Sequence, residues 1–141
     1  MLEKSLNTRV INTLMAQVQV QDQMQQNNAR RIIFLNALPL NAFPRRYIRL
    51  DVLPISIQEL VWWINRRLAE GYRLDHYIRH ASTIQALRAV GIPLADQPNP
   101  GVYRHEPNDI LVVVALRNPV RGQEVYEIRP DDLEVWVVTA L

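Results

Sequence analysis

"ILVVVALR", residues 110–117, decides the fold: seven apolar residues without alternation, three of them consecutive valines, then an arginine. The run is too short for a buried helix of ordinary length. It is rich in β-branched side chains and lies between the turn-forming "HEPND" (105–109) and "NPVRGQ" (118–123). A strand that needs no polar face is a strand covered on both sides, and such strands sit in the middle of sheets carrying helices or loops on their faces. Working outward, "RRIIFLN" (30–36) has the same unalternating grammar and reads as a second interior strand. "YIRLDVL" (47–53) alternates, as a half-buried strand leading to Pro54 should, and "LEVWVVTAL" (133–141) supplies a final strand. "VYR" (102–104) and "EVYEI" (124–128) are candidates for brief further strands, and "PDD" (130–132) for a turn or single helical turn.

Between the strands lie two helix signatures. "SIQELVWWINRRLAEG" (56–71) opens with a capping box, Ser56 to Glu59, carries an apolar face and closes at Gly71. "STIQALRAVG" (82–91) repeats the pattern, with Ser82 as the cap, Gln85 reaching back and Gly91 as terminator. "YRLDHYIRH" (72–80) reads either as a further helical turn or as a loop, and "IPLADQPNPG" (92–101) as a proline-rich loop. The sum is an α/β (mixed α+β) domain over residues 30–141: a mixed sheet of about five strands with helices on one or both faces.

Residues 1–29 differ in kind. Leu2, Leu6, Val10, Leu14 and Val18 recur every fourth position, with Ile11 and Met15 beside them, which predicts an N-terminal amphipathic helix. It gives way to "QVQVQDQMQQNN" (17–28), a glutamine- and asparagine-rich linker with little to bury. The helix has an apolar face to place on its own domain or on a second copy.

Composition narrows the function classes. The 141 residues contain no cysteine, which excludes a disulfide frame and a thiol nucleophile. No apolar run reaches the ~18 residues of a membrane helix, and the first residues lack signal-peptide organisation, so a cytoplasmic protein with no membrane partner is expected. The net charge of +2 is built from fifteen arginines and one lysine, Lys4. Two readings stand: codon bias, or a surface suited to phosphate and base, which the guanidinium fork matches better than an ammonium does.

Candidate chemistry is sparse. Glycine-rich phosphate loops, paired nucleophile and base, and acidic clusters suited to magnesium are all missing. His76 and His80 have the spacing of a two-histidine metal pair, but the glutamate of HExxH and a third ligand are absent, so no metal and no cofactor is expected. His80 is better placed as an acid. It lies two residues before Ser82, beside the N–H groups of a predicted helix N-terminus, where a phosphate is held readily and an imidazole can donate a proton. Upstream, "LNALPLNAFP" (35–44) writes one pentamer twice, placing Asn36 and Asn41 before Pro39 and Pro44. This is either a rigid turn with two local amide bonds or a pre-shaped lip presenting amides to a ligand. Arg117 and Arg121 follow the strongest strand, at the kind of strand end where α/β sheets bind ligands.

Taken together, a strand running into "LNALPLNAFP", then "HASTIQAL" (80–87) opening a helix, then "VVVALR" and an arginine-bearing turn resemble the anti-CRISPR type III ring nucleases. These small viral and prokaryotic proteins degrade cyclic oligoadenylate messengers, typically cyclic tetra-adenylate. The resemblance covers roughly residues 30–141. It implies a homodimer of mixed sheets flanked by helices, with the ring on the two-fold axis and no double-stranded DNA as partner. It further implies attack of a ribose 2′-hydroxyl on the adjacent phosphorus without a metal, leaving a linear product with a 2′,3′-cyclic phosphate. Carried onto this chain, His80 is the general acid toward the 5′ oxygen and Arg117 the group that stabilises charge on the phosphate. Asn36, Ala37, Leu38, Asn41, Ser82, Thr83 and Arg121 hold the ligand. Departures are Arg79 where the family often has glycine before the histidine, Pro39 where it has a hydroxyl residue, and no equivalent of the glutamate after its arginine. Two other readings remain beside it. One is a protein that sequesters the ring without cutting it, and the other is a viral interaction protein that binds nucleic acid through its arginines.

Overall fold

The structure, a computed structural model, describes residues 30–44, 48–117 and 128–141. The predicted N-terminal helix and linker, Arg121 and residues 124–127 of the candidate strand lie outside the described residues, and Ile128 is not in a strand. Five strands form one mixed sheet: β1 (Arg31–Leu35), β2 (Leu50–Ile55), β3 (Arg73–His76), β4 (Ile110–Leu116) and β5 (Leu133–Ala140), in the spatial order β2-β5-β4-β1-β3. The "ILVVVALR" run is the central strand, with Leu111 to Val114 all buried. β1 pairs in parallel with β3 on one side (Phe34 opposite His76) and with β4 on the other (Leu35 opposite Val113). It is therefore interior, as its lack of alternation requires. β5 runs antiparallel to both β4 and β2, so the other four strands all point the same way.

The two faces are covered differently. On one, α1 (Ile57–Ala69) and α2 (Ala81–Ala89) bury Leu60, Ile64, Ile84 and Leu87 against Ile32, Phe34, Val112, Val114 and Val135. On the other, loops do the work: Phe43 from the β1–β2 crossover and Tyr103 from the segment before β4 close over Ile33, Leu35, Leu111, Val113 and Val138. Both helices thus lie on one face, and a loop layer stands in for the second helical layer.

The capping box of α1 forms as its sequence demands. The Ser56 hydroxyl accepts the Glu59 N–H at 3.1 Å, and the Glu59 carboxylate accepts the Ser56 N–H at 3.2 Å. Gly71 and Gly91, just past the two helices, take the left-handed φ values of 95° and 104° that favour glycine.

Four expectations need correction. "YRLDHYIRH" holds strand β3, so the two helices are not consecutive; the short run Arg73–His76 was masked by its polar residues, which an edge strand tolerates. The cap of α2 is His80, not Ser82, and Gln85 is exposed, making no reciprocal cap bond. "VYR" is not a strand, and Tyr103 is buried as a loop anchor instead. Pro54 lies inside β2, opposite Trp136, rather than beyond it. β2 is an edge strand, where a missing N–H facing outward costs no ladder bond.

Candidate functional site

The chain leaves the parallel strands β1, β3 and β4 at the same end of the sheet, and most of the sequence-predicted residues are there. Asn36 and Ala37 exit β1 and are exposed, while Leu38 is half-buried and packs under the loop face. Asn41 is exposed in a 3₁₀ turn, Leu40–Ala42, closed by the Ala42 N–H to the Pro39 carbonyl at 2.9 Å. The two copies of the pentamer therefore do different jobs. The first ends the strand; the second makes the turn and drives Phe43 into the core, where it stacks on His105 at 4.6 Å. Neither asparagine amide has a hydrogen-bond partner among the described residues, so the local-bond reading of the repeat is not what holds this loop.

His80 stands on the neighbouring strand's exit. Beyond β3 the Tyr77 N–H bonds the Phe34 carbonyl at 3.0 Å, which keeps the chain beside the end of β1. Three residues on, His80 is the exposed N-cap of α2 with φ −89° and ψ 111°. Its carbonyl accepts the N–H groups of Thr83 and Ile84, at 3.1 and 3.2 Å. Its imidazole makes no capping bond. The contrast with α1 is chemical: one helix N-terminus is stoppered by Ser56, while the other presents its first N–H groups and dipole next to a histidine. Ser82 is half-buried in the first turn, whereas Thr83 is buried with its N–H spent on His80, so its side chain is turned inward.

The frame behind His80 is stiff. His76 is buried at the end of β3; its Nδ1 accepts the Ile78 N–H at 3.2 Å, so Nε2 carries the proton and donates to the Ala95 carbonyl at 2.8 Å. The Asn99 N–H to the His76 carbonyl, 2.8 Å, and Arg79 to the Gly101 carbonyl, 2.9 Å, tie the following loop to the same strand. His76 and His80 thus lie on a strand and a cap rather than on one helical face. Among the described residues no group of three metal-ligating side chains converges.

Arg117 follows β4, on the other flank of β1. Its backbone N–H bonds the Asp132 carbonyl at 2.7 Å and its Nε the Asp131 carbonyl at 3.3 Å, which turns the side chain toward the single helical turn at Pro130–Asp132. There it borders a cleft of about 370 Å³ together with Ser56, Gln58, Glu134 and Trp136. Neither Asn36 nor His80 lines that cleft. The structure therefore gathers Asn36, Ala37 and His80 at adjoining strand exits and sets Arg117 apart, toward β5 and β2.

Sequence reasoning missed a polar network at the opposite end of the sheet, where β1 and β4 begin. Arg31 grips Asp109 with two bonds, 3.0 and 2.7 Å, and Tyr103 donates to the same carboxylate at 2.6 Å. The Glu106 N–H adds a third donor to that oxygen at 3.0 Å, and His105 Nδ1 lies 3.0 Å from the Tyr103 oxygen. Burial, and then the bond to Asp109, raise the Tyr103 phenol above its ordinary range; the same carboxylate raises the Arg31 guanidinium. Seventy-eight residues separate Arg31 from Asp109, and nothing local in the sequence signals the pair.

The fold is shared with a viral protein. B116 of Sulfolobus turreted icosahedral virus superposes with a TM-score of 0.60 at 14% sequence identity, the match covering 77% of this chain and 97% of that one. Nearly all of B116 is matched, so what the two share is that protein's full architecture rather than one part of it. No family model matches the chain, and no curated protein does. Among the described residues no helix is long and apolar enough to cross a membrane.

Proposed function

We propose that the protein is a ring nuclease that opens cyclic oligoadenylate, with cyclic tetra-adenylate the leading substrate, and so switches off type III CRISPR signalling. The observation that carries the reading is the unstoppered N-terminus of α2, with exposed His80 as its cap, beside the exit of β1 where Asn36 holds an unengaged amide. A phosphodiester resting on the first N–H groups of α2 has its charge met by the helix dipole. The ribose 2′-oxygen attacks the adjacent phosphorus, the P–O5′ bond breaks, and His80 gives its proton to the departing 5′ oxygen. The proton of the 2′-hydroxyl passes to solvent, and the product ends in a 2′,3′-cyclic phosphate. Asn36 and Asn41 hold the ring from the β1 side. Arg117 serves the phosphate charge only by swinging away from the Asp131 carbonyl. That a virus carries a protein of this fold suits a role against a host defence.

The test is incubation of the purified protein with cyclic tri-, tetra- and hexa-adenylate in excess chelator. We expect linear products ending in a cyclic phosphate, with His80→Ala slower by about 10²-fold or more. Rings recovered intact overturn catalysis. Tight retention of an intact ring then identifies a sequestering protein. Salt-sensitive binding to ordinary RNA or DNA, without preference for rings, identifies the arginine-mediated alternative.

A further inference from the structure

The end of the sheet away from His80 carries a groove of about 230 Å³ that the proposed reaction does not use. Its walls are largely apolar, with Phe43, Pro44 and Ile48 on one side and Pro107, Ala140 and Leu141 on the other. The groove is held in shape by the Phe43–His105 stack and by the Arg31–Asp109–Tyr103 network behind it. That network also fixes where the N-terminal part of the chain joins the domain. Arg31 is the first residue of β1, and its guanidinium reaches Asp109 at 2.7 Å, Glu106 at 3.4 Å and the Arg104 carbonyl at 3.5 Å. Those three residues belong to the same short segment as the groove residues His105, Pro107 and Asn108. The 29 residues that precede Arg30 therefore join the domain next to Arg31, whose guanidinium contacts the same segment, 104–109, that supplies one wall of the groove.

We propose that this groove is the docking site for the chain's own N-terminal segment, entered by the apolar stripe around Leu6 and Val10. Three features of the molecule converge on that occupant. The stripe is the one part of the sequence outside the described residues that repeats an apolar side chain every fourth position, at Leu2, Leu6, Val10, Leu14 and Val18. Size agrees: a cavity of about 150 Å³ admits a benzene, so this one has room for two aliphatic side chains. Side chains four apart on a helix stand about 5–6 Å from each other, as two neighbours sharing one groove must. Reach agrees as well. The eleven residues 19–29, when fully extended, span at most about 36 Å, ample for a groove on the segment that Arg31 contacts. Such a tether gives an effective concentration in the millimolar range, so the stripe of the same chain outcompetes that of a second copy at about micromolar protein.

The absence of cysteine makes the test direct. In the full chain, Val10→Cys is combined with Ala140→Cys at the groove wall, and Asn12→Cys with Ala140→Cys serves as the comparison, because helical periodicity predicts Asn12 opposite the apolar stripe. Under copper phenanthroline, the Val10 pair should close an intrachain disulfide, read as a monomer two hydrogens lighter, at least ten-fold faster than the Asn12 pair. Adding Leu6→Asp to the Val10 pair should slow closure to the Asn12 rate. Equal rates for the two pairs overturn the proposal, as does closure indifferent to Leu6→Asp. A product of twice the chain mass overturns it in favour of a groove filled by a second copy.

Discussion

Asp109 is 4% exposed and accepts from Arg31 twice, from the Tyr103 hydroxyl and from the Glu106 N–H. Removing one member of a buried ion pair strands the other, and that penalty exceeds the net worth of the intact pair. Asp109→Ala should therefore destabilise the protein by about 3–5 kcal/mol in urea unfolding. Arg31→Ala in the same background should add far less than it costs alone, because its partner is already gone. Tyr103 gives a prediction in pH. Burial and donation to Asp109 raise its phenol in the folded state, while the unfolded chain titrates near the ordinary value of about 10. The folded form then binds more protons than the unfolded form only above that value. Stability should be insensitive to this group below about pH 10 and decline as pH rises further. Tyr103→Phe should remove that alkaline decline while costing about 1–3 kcal/mol at neutral pH from the lost bond to the carboxylate. An alkaline limb unchanged in Tyr103→Phe would show that another group controls it.

The two helices make the case at the level of elements, because they begin at the same end of the sheet and differ in their caps. Ser56→Ala should cost about 1 kcal/mol, the ordinary loss when a capping hydroxyl is removed. His80→Asp should do the reverse, since α2 lacks a side-chain cap and a carboxylate there also suits the helix dipole. A gain of about 1 kcal/mol, or roughly 3–4 °C in Tm, is expected together with loss of ring cleavage. A histidine kept at a better-cappable position for structural reasons alone would show the stability gain and no change in activity. The same elements show what the sequence disclosed. Leu111–Val114 and Ile32–Leu35 were legible as interior strands because burial on both faces leaves no alternation, and Ser56–Glu59 because a capping box is a local bond. β3 was not legible: with Arg73, Asp75 and His76 among its four residues, its pairing to β1 is a tertiary fact. The shift of the second cap from Ser82 to His80 escaped because cap preference favours serine, whereas the hydrogen bonds from Thr83 and Ile84 to the His80 carbonyl set the helix start. The candidate site was legible in part for the same reason. Asn36 was found from the apolar run of β1 and His80 from its place before a predicted helix start, but that Arg117 turns toward Asp131, away from them, depends on a carbonyl brought in by β5.

At the level of the whole molecule, the resemblance to the ring nucleases implies an assembly of two chains, a claim separate from the chemistry at one helix N-terminus. Among the described residues one chain presents a single uncapped helix N-terminus and a single Asn36 amide at one end of the sheet, and the ring the resemblance implies is bound by two copies about a two-fold axis. A closed two-fold dimer offers each contact twice, related by 180°, and a ring meets both sets equally only if it has the same symmetry. Rings of four or six identical nucleotides contain a two-fold axis; a ring of three does not. The expected outcome is a particle of twice the 16.4 kDa chain mass in light scattering. Titration of the uncleaving His80→Gln protein with cyclic tetra-adenylate should then saturate at one ring for every two chains. Cyclic tri-adenylate should bind more weakly by the loss of one full set of contacts, a discrimination that size alone does not impose. If the protein saturates at one ring per chain, or if three- and four-membered rings bind alike, each chain holds its own ligand. The two-fold arrangement is then excluded even where His80 proves to be the acid, because the chemistry at one helix N-terminus and the symmetry of the assembly are separate claims.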